Sequence, residues 1–241
     1  MTGMSDGDDD ALEPASTRLL VAGASGDTGR QVLSYLDGRP PTVRALTRSE
    51  SKRDRLRRRG ADEVVVGDLL ERSDAERAVA DVDAVVSAVG SSPRTVLTAD
   101  EFVDGAGNRN LIAAAADAGA TAFVMESALG VGDDPASPLA AAFDLFIGPV
   151  QRAKADAEAA LRTAPLRHTV LRPGVLTPGP RTDAVQVADP GARLWGAVPR
   201  TDVARLLAAA PFTPAVADRT LEVVVNPLLR GRAATVDWRA P

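Results

Sequence analysis

The sequence contains no cysteine and a single histidine, at position 168. Cysteine thiolates act as nucleophiles and redox groups, and most structural zinc sites are built from cysteine and histidine. The absence of cysteine therefore excludes thiol catalysis, disulfide bonds and thiolate metal centres. One histidine is also too few for a histidine-rich metal site, so the sequence predicts that no metal is bound.

The chain carries a net negative charge, and it has no long apolar runs. Acidic residues outnumber lysine and arginine by 33 to 28, which disfavours an extended nucleic-acid groove. No stretch approaches the ~20 apolar residues that span a bilayer. The N terminus is acidic, whereas a signal peptide begins with a basic segment followed by an apolar one. We expect a cytoplasmic protein without nucleic-acid or membrane partners; its oligomeric state is not predicted.

The first 17 residues differ in composition from the rest of the chain. Residues 1–17 contain five acidic residues and few apolar ones, which is typical of a disordered, solvated tail. Residues 18–241 are long enough to bury one sizeable core, since 45% of the chain is hydrophobic. The sequence predicts an acidic tail followed by one folded domain.

Three glycines follow the first apolar run of this domain. Residues 19–21 have the pattern of a strand buried on both faces, and helical spacing of apolar residues begins at Val32. Between them, Gly23 permits a tight turn, Gly26 lets a diphosphate approach the backbone, and Gly29 lets the helix pack closely on the strand.

The helix that begins after these glycines is suited to hold phosphate groups. Its first N–H groups have no intrahelical acceptor, and they lie at the positive end of the helix dipole. Ser25 and Thr28 are expected to add hydroxyl donors. A plain strand-to-helix turn that binds nothing is the alternative, but the flanking strand and helix favour a dinucleotide cradle.

Strands and helices alternate along the remainder of the chain. The predicted strands are residues 19–21, 42–47, 63–66, 82–87, 121–125, 168–171 and 221–225. A long irregular segment is expected at 126–149 and a helix at 150–162. This alternation predicts an α/β fold, a Rossmann-like, doubly wound parallel sheet in a single domain. Residues 175–199 and the final segment are expected to form a small cap on the substrate side.

Ligands of such sheets bind beyond the carboxyl ends of the strands. After the second strand, Arg48 and Ser49 occupy the place where an NAD enzyme usually has an acidic residue, ~20 residues past the glycines, and Lys52 follows. A guanidinium pairs well with a 2′-phosphate, so this segment favours NADP(H) over NAD(H). The alternative is that Arg48 is one more solvated arginine.

The glycine turn, GASGDTG, resembles that of the atypical short-chain dehydrogenase/reductases. This NAD(P)H-binding group includes NmrA-like proteins and flavin/biliverdin reductases. Residues 172–175 (RPGV) resemble its RPG signature, and residues 200–204 (RTDVA) resemble its R-x-D-V-A signature. The resemblance extends from Arg18 to about Ala204.

The resemblance implies roles for residues at the later strand ends. Asp68 and Leu69 would lie against the adenine, although Asp68 fits a helix cap or turn equally well. Small residues at 88–90 would let the backbone approach the ribose. Ser127 is the nearest match to the serine that follows the fifth strand, and residues 173–175 would support the nicotinamide carboxamide. Arg200 and Asp202 are expected to be structural, through capping and an ion pair.

Together these considerations give one set of candidate residues. The residues predicted to bind the cofactor are Gly23, Ala24, Ser25, Gly26, Asp27, Thr28, Gly29, Arg48, Ser49, Asp68, Leu69, Ala88, Val89, Gly90, Ser127, Lys154, Pro173, Gly174 and Val175.

The catalytic tyrosine of short-chain dehydrogenases is missing. In this family a tyrosine precedes a lysine by four residues; here Val150 precedes Lys154, and the only tyrosine, Tyr35, lies in the first helix. Lys154 is expected to bind the ribose or, alternatively, to be a surface lysine. Ser127 and Lys154 are the candidate catalytic residues, and Glu126 and Asp144 are further polar residues that could take part.

Loss of the tyrosine disfavours alcohol dehydrogenase and sugar epimerase chemistry, which need a positioned proton acceptor. Hydride transfer to a planar acceptor such as a flavin or quinone needs less from the protein. Aromatic and apolar residues at 143, 145, 146 and 195 are expected near the nicotinamide, or in the local core. We therefore predict an NADPH-dependent reductase of the atypical short-chain type. The alternative is a non-catalytic, NADP(H)-sensing regulator or assembly factor.

Overall fold

The computed structural model describes residues 12–90, 103–131 and 138–241, with only the backbone described at 138–147. Its main sheet is built on the first strand, β1. The strands are β1 Arg18–Ala22, β2 Thr42–Thr47, β3 Glu63–Val66, β4 Ala84–Ser87, β5 Ala122–Glu126, β6 Arg167–Pro173, β7 Val175–Thr177, β8 Gln186–Ala188, β9 Ala197–Pro199 and β10 Arg219–Val224. The α-helices are α1 Asp27–Leu36, α2 Arg53–Arg57, α3 Arg72–Val79, α4 Asn108–Asp117, α5 Pro138–Thr163 and α6 Arg200–Ala209.

Eight strands form one sheet in the order β3-β2-β1-β4-β5-β6-β10-β8. All neighbours are parallel except β8, which runs antiparallel to β10. The chain leaves β1 toward β2 and β3, and then returns to the other side of β1 with β4. This order confirms the predicted Rossmann-like, doubly wound fold, and it places the switch point between β1 and β4.

Helices cover both faces of the sheet because the strands are apolar on both faces. Leu19 and Val21 of β1 pack into a core shared with α1 and α6. Their neighbours Leu20 and Ala22 point the other way, into a core shared with α3, α4 and α5. Side chains of successive strand residues alternate between faces, so an uninterrupted apolar run is what two covering layers require.

Helix α5 begins well before the predicted position. Residues 126–149 were expected to be irregular, but α5 starts at Pro138 and continues through Pro149. A proline inside a helix lacks one N–H and crowds the preceding turn, which makes it a strong signal for a helix end. Here Pro149 occupies an exposed position, so its ring meets solvent instead of the core. The prediction of an irregular segment is therefore wrong for its last part.

The residues after β6 add small strands on the side where the parallel strands end. β7 pairs with β9 in a separate two-stranded sheet, and β8 joins the edge of the main sheet. The cap predicted for residues 175–199 stays a prediction, since pairing alone does not show a substrate-side role. At the other end of the chain, Leu12 packs on the core and Pro14–Ser16 form one 3₁₀ turn, so folded structure begins upstream of β1. Residues 1–11 of the predicted tail lie outside the described residues.

Candidate functional site

Two of the three glycines in the turn after β1 are required by the fold itself. Gly23 has φ +72°, and a Cβ there would lie 2.3 Å from the backbone oxygen of Ala88. A Cβ on Gly29 would lie 2.2 Å from the backbone oxygen of Gly23. Both contacts are far shorter than van der Waals distance. Gly23 and Gly29 thus permit the close approach of β1, β4 and α1 that the sequence predicts.

Gly26 is different, because its backbone suits any residue and a Cβ there would make only one tight contact. Its backbone is extended (φ −74°, ψ 175°), and a Cβ would meet only the backbone oxygen of Gly23, at 3.1 Å. Gly26 immediately precedes α1, whose first N–H groups lack intrahelical acceptors. The missing side chain leaves the approach to those N–H groups open. The turn therefore fits a diphosphate, with the N–H groups of residues 27–29 as the donors that would hold it.

Side chains of the turn contact polar groups of other residues. The Thr28 hydroxyl donates a hydrogen bond to Oε1 of Glu126 (3.0 Å), and its expected contact with phosphate stays a prediction. Lys52 Nζ lies 3.3 Å from the Ser25 hydroxyl, so a cation borders the turn. The carboxylate of Asp27 forms an ion pair with Arg30, which offsets its negative charge where an anion would bind.

The end of β2 presents uncompensated positive charge. Glu50 lies two residues after Arg48, but its carboxylate is held by Arg53 through two hydrogen bonds of 2.6 and 2.9 Å. That contact lowers the pKa of Glu50. Arg48 is exposed and forms no ion pair with any described residue. The Ser49 and Ser51 hydroxyls lie 2.8 Å apart beside it.

The ends of β3 and β4 complete the predicted adenine and ribose side. Asp68 Oδ1 accepts a hydrogen bond from the Leu70 N–H (3.1 Å), so one carboxylate oxygen serves the local turn. Leu69 is buried, and its carbonyl accepts a hydrogen bond from Asn110. Ala88 and Val89 are buried. Contact between these residues and a cofactor stays a prediction.

Charged side chains converge where β4 and β5 end. Lys154 of α5 is largely buried, and its Nζ lies 3.0 Å from Oδ1 of Asp104. Asp104 belongs to a π-helical turn, Val103–Gly107, at the start of α4. It lies near Gly90, where a Cβ would be 3.8 Å from Oδ1 of Asp104. The lysine that the sequence marks is therefore not on the surface, and it has a buried carboxylate partner that the sequence analysis missed.

Glu126, the last residue of β5, is the second acidic group of this cluster. It is buried (7% exposed), and burial raises its pKa to about 6. The Asp104 carboxylate raises the pKa as well, whereas the Lys154 ammonium, the Thr28 hydroxyl and the Arg200 guanidinium oppose the rise. Glu126 therefore changes its charge close to neutral pH, immediately beside the glycine turn.

Replacement of Glu126 by glutamine should remove a pH-dependent cost of folding. The folded-state pKa of about 6 lies above the ordinary value of 4.5, so the contribution of this proton to stability is present below about pH 4.5 and is lost as the pH rises through 6. A shift of about 1.5 pKa units corresponds to about 2 kcal/mol. Between about pH 4.5 and 7.5, urea unfolding should show that the free energy of unfolding of wild type falls by about 2 kcal/mol relative to that of Glu126→Gln. If the difference between the two proteins does not change with pH, the pKa of Glu126 is not raised in the folded state.

Ser127 belongs to a second buried network. Its hydroxyl donates a 2.6 Å hydrogen bond to Glu158 of α5, which is fully buried. Glu158 also accepts two hydrogen bonds from Arg172 of β6 (3.0 and 2.6 Å) and forms an ion pair with Arg162. The network connects β5, β6 and α5. Since the Ser127 proton is directed to Glu158, the structure does not present this hydroxyl as a proton donor for a ligand.

In the segment after β6, backbone groups are bound to neighbouring segments and one apolar side chain is exposed. The N–H groups of Gly174 and Val175 donate to the carbonyls of Val223 and Gly196 (2.9 and 3.0 Å), and the Pro173 carbonyl accepts from Leu129 (2.8 Å). The Val175 side chain is 64% exposed. The contact left for a ligand is therefore mainly apolar.

Two more apolar side chains are exposed on segments that backbone hydrogen bonds join to that of Val175. Trp195 is 53% exposed and Leu228 is 87% exposed. Asn226 connects them, because its side chain donates to the Trp195 carbonyl (2.9 Å) and accepts from the Leu228 N–H (3.2 Å). Val175, Trp195 and Leu228 are named the apolar rim here. The side chains of the other residues predicted near the nicotinamide, 143, 145 and 146, lie outside the described residues.

The R-x-D-V-A segment is structural in part. Both carboxylate oxygens of Asp202 accept hydrogen bonds from Thr182, the shortest being 2.6 Å from its hydroxyl. The expected ion pair with Arg200 is not formed, because Asp202 binds the loop that contains Thr182 instead. Arg200 lies close enough to Glu126 to act on its pKa. Within the described ranges, no group of three or more acidic or histidine side chains is arranged to hold a metal ion.

A family model described as NAD(P)H-binding matches residues 23–214. The chain belongs to this NAD(P)H-binding family. The match begins at the first glycine of the turn and extends beyond α6, which confirms the resemblance to atypical short-chain dehydrogenase/reductases. Among the described helices of this family member, none is long and apolar enough to cross a membrane.

Three known proteins show what this NAD(P)H-binding protein is similar to. YhfK of Bacillus subtilis (strain 168), an uncharacterized sugar epimerase, is 31% identical over 195 residues, 80% of this chain and 86% of YhfK. Ycf39 of Synechocystis sp., a photosystem II assembly factor, is 34% identical over 122 residues, 51% of this chain and 37% of Ycf39. The structure of ChuY, an anaerobillin reductase from Escherichia coli O157:H7, superposes with a TM-score of 0.74 at 24% identity, over 88% of this chain and 98% of ChuY. That last similarity shows the fold.

Proposed function

We propose that this protein is a cytoplasmic, NADPH-dependent reductase that transfers hydride to a planar, electron-poor acceptor such as a flavin, quinone or tetrapyrrole. One observation carries the proposal. The glycine turn, whose geometry fits a diphosphate, adjoins a site in which Lys154 is retained and buried, while Val150 replaces the tyrosine one helical turn earlier. A valine transfers no proton, so an acceptor that does not depend on a tyrosine is favoured.

The preference for NADPH is supported by charge at the end of β2. Arg48 is exposed and unpaired among the described residues, and Lys52 borders the glycine turn. The nearby carboxylate of Glu50 is already bound by Arg53. A guanidinium, an ammonium and hydroxyl groups form a suitable set of donors for a 2′-phosphate. An NAD-specific site would instead offer a carboxylate to the ribose hydroxyls.

A planar acceptor is supported by the apolar rim. Contiguous exposed apolar surface commonly marks a binding site, and the three side chains of the rim are exposed on neighbouring segments. The exposed indole of Trp195 provides a flat face for an aromatic ring. The rim follows β6 and β10, which end on the same side of the sheet as the glycine turn. The reductase ChuY has the same overall fold.

A sugar epimerase is disfavoured despite the similarity to YhfK. Epimerisation by hydride transfer begins with removal of a proton from a sugar hydroxyl, which requires a positioned base. The sequence has Val150 instead of a tyrosine four residues before Lys154. The Ser127 hydroxyl is directed to Glu158. The Glu126 carboxylate accepts the hydrogen bond of Thr28 of α1 instead of occupying the tyrosine position on α5.

The alternative of a non-catalytic, NADP(H)-sensing regulator or assembly factor keeps the same cradle. It is favoured by the missing tyrosine and by the similarity of half of this chain to the assembly factor Ycf39. It differs from the reductase in one measurable respect, because a sensor binds the dinucleotide without consuming it.

NADPH oxidation, followed by absorbance, tests these functions. We expect steady consumption with at least one of FMN, menadione and biliverdin, and slower consumption of NADH at equal concentration. Tight binding of NADPH without consumption, with an unchanged background rate for every acceptor, would instead support the sensor. Interconversion of nucleotide sugars by protein supplied with NAD would support the epimerase.

A further inference from the structure

We propose that Glu126 takes up a proton when the dinucleotide binds and delivers it to the acceptor that receives the hydride. This inference rests on the proposed function, because it assigns the proton donor of the same site. It replaces the missing tyrosine by a carboxylic acid on a different element, the end of β5. In the sequence, Glu126 is only one of several polar residues that could take part.

The position of Glu126 connects it to the cofactor turn. Its Oε1 accepts the hydrogen bond of the Thr28 hydroxyl at 3.0 Å. The backbone N–H of Thr28 is one of the three at the start of α1 that would hold the diphosphate. Glu126 therefore contacts the side chain of a residue whose backbone N–H would hold the anion. It also ends the strand next to β4, on the side where the nicotinamide is expected.

The charges around Glu126 allow its carboxylate to gain or lose a proton when a ligand binds. Four elements face it: α1 through Thr28, the π-helical turn through Asp104, α5 through Lys154 and α6 through Arg200. Lys154 is bound to Asp104 at 3.0 Å. Among the described residues, no cation comes within 4.0 Å of the Glu126 carboxylate. Glu126 is therefore buried beside cations without a fixed ion pair, and burial raises its pKa.

Binding of an anion shifts this balance toward the protonated form. A diphosphate beside α1 adds negative charge near a buried carboxylate, and like charges disfavour ionisation. The pKa of Glu126 then rises further, so a protein that is mainly ionised at neutral pH takes up a proton on binding. The protonated carboxyl can still interact with the Thr28 hydroxyl, as donor or acceptor.

The reduction then balances as follows. The acceptor forms one new bond with the hydride from the bound dinucleotide, which brings two electrons, and a second bond with the proton from Glu126, whose O–H bond breaks. Glu126 stays ionised after the oxidised dinucleotide has left, and it takes up a proton from solvent when the next dinucleotide binds. The net change is acceptor plus NADPH plus H⁺ to reduced acceptor plus NADP⁺.

Other described groups are less suited to this step. The Ser127 hydroxyl donates to Glu158 at 2.6 Å. Lys154 is bound to Asp104. His168 lies near the opposite end of β6, where its Nδ1 is 3.0 Å from Oδ1 of Asp218.

Calorimetric titration with NADPH tests the uptake directly. Titrations at about pH 7.5 in two buffers of different ionisation enthalpy give the number of protons taken up. We expect wild type to take up at least about half a proton more than Glu126→Gln. The difference between the two proteins cancels the proton taken by the 2′-phosphate of the ligand, whose pKa lies near 6. Glu76→Gln, the same change at an exposed position of α3, should behave as wild type.

Delivery of the proton is tested by the pH profile of turnover with menadione. We expect wild-type kcat to fall above the pKa of the bound enzyme. Glu126→Gln should lose about a hundredfold in kcat and show no such fall, while its Kd for NADPH near pH 6 stays close to that of wild type. Glu126→Asp should retain the pH dependence at reduced rate, which a merely structural role does not predict.

The outcomes separate this inference from the function on which it rests. Wild type that binds NADPH and reduces an acceptor, with equal proton uptake in Glu126→Gln, overturns the inference and leaves the reductase standing. Wild type that does not bind NADPH overturns both. If Glu126→Gln does not fold, wild type decides alone: NADH lacks the 2′-phosphate, so the absence of proton uptake on binding NADH at about pH 7.5 overturns the proposal.

Discussion

Gly26→Val is expected to abolish dinucleotide binding while the protein stays folded. The backbone at Gly26 is extended and suits any residue, and a Cβ meets only one carbonyl oxygen, at 3.1 Å. The added side chain instead blocks the approach to the N–H groups at the start of α1. Loss of two charge-assisted hydrogen bonds costs about 3 kcal/mol or more, which corresponds to at least about a hundredfold rise in Kd. Fluorescence titration should show this for NADPH and NADH alike.

Two other glycines provide controls for this result. Gly231→Val makes the same change where a Cβ has no neighbour within 4 Å, and it should bind as wild type. Gly29→Ala places a Cβ 2.2 Å from a backbone oxygen, so it should lower the melting temperature as well as the affinity. If Gly26→Val keeps normal affinity for both dinucleotides, the turn is not a phosphate cradle.

Arg48→Asp is expected to weaken NADPH binding much more than NADH binding. The change removes a charge-assisted contact with the 2′-phosphate, worth about 1.5–3 kcal/mol. It also adds repulsion from the new carboxylate, and Kd for NADPH should rise by about 30- to 100-fold. NADH lacks this phosphate, and an aspartate at this place suits its ribose hydroxyls. Its Kd should change by no more than about threefold.

The matched control is Arg55→Asp, which reverses the charge of another exposed arginine, two residues into α2. It should leave both affinities within about twofold, because screening in salt weakens contributions from distant surface charges. An equal loss for NADPH and NADH in Arg48→Asp would refute the phosphate role of this residue. An equal loss of NADPH affinity in both variants would assign the effect to net charge.

The parallel sheet and the glycine turn were predictable because their signals are local. Strand predictions at residues 42–47 and 63–66 coincide with β2 and β3. Continuous apolar runs specify strands buried on both faces wherever they occur. Gly23 and Gly29 are required by contacts within one strand–turn–helix unit and with the adjoining strand β4. The signal at Pro149 was misleading, since whether a proline ends a helix depends on the surface around it.

The sequence by itself determined the fold class, the glycine turn, the arginine after β2 and the loss of the tyrosine, since each depends on residues that are close in the chain. Only the tertiary structure decided which polar groups meet beyond the strand ends. Asp104 and Lys154 are 50 positions apart, and Thr28 and Glu126 are 98 apart. A carboxylate shows its altered pKa only after folding has removed water and brought other charges near it. The path of the chain through the sheet, rather than any motif, places Glu126 beside the glycine turn.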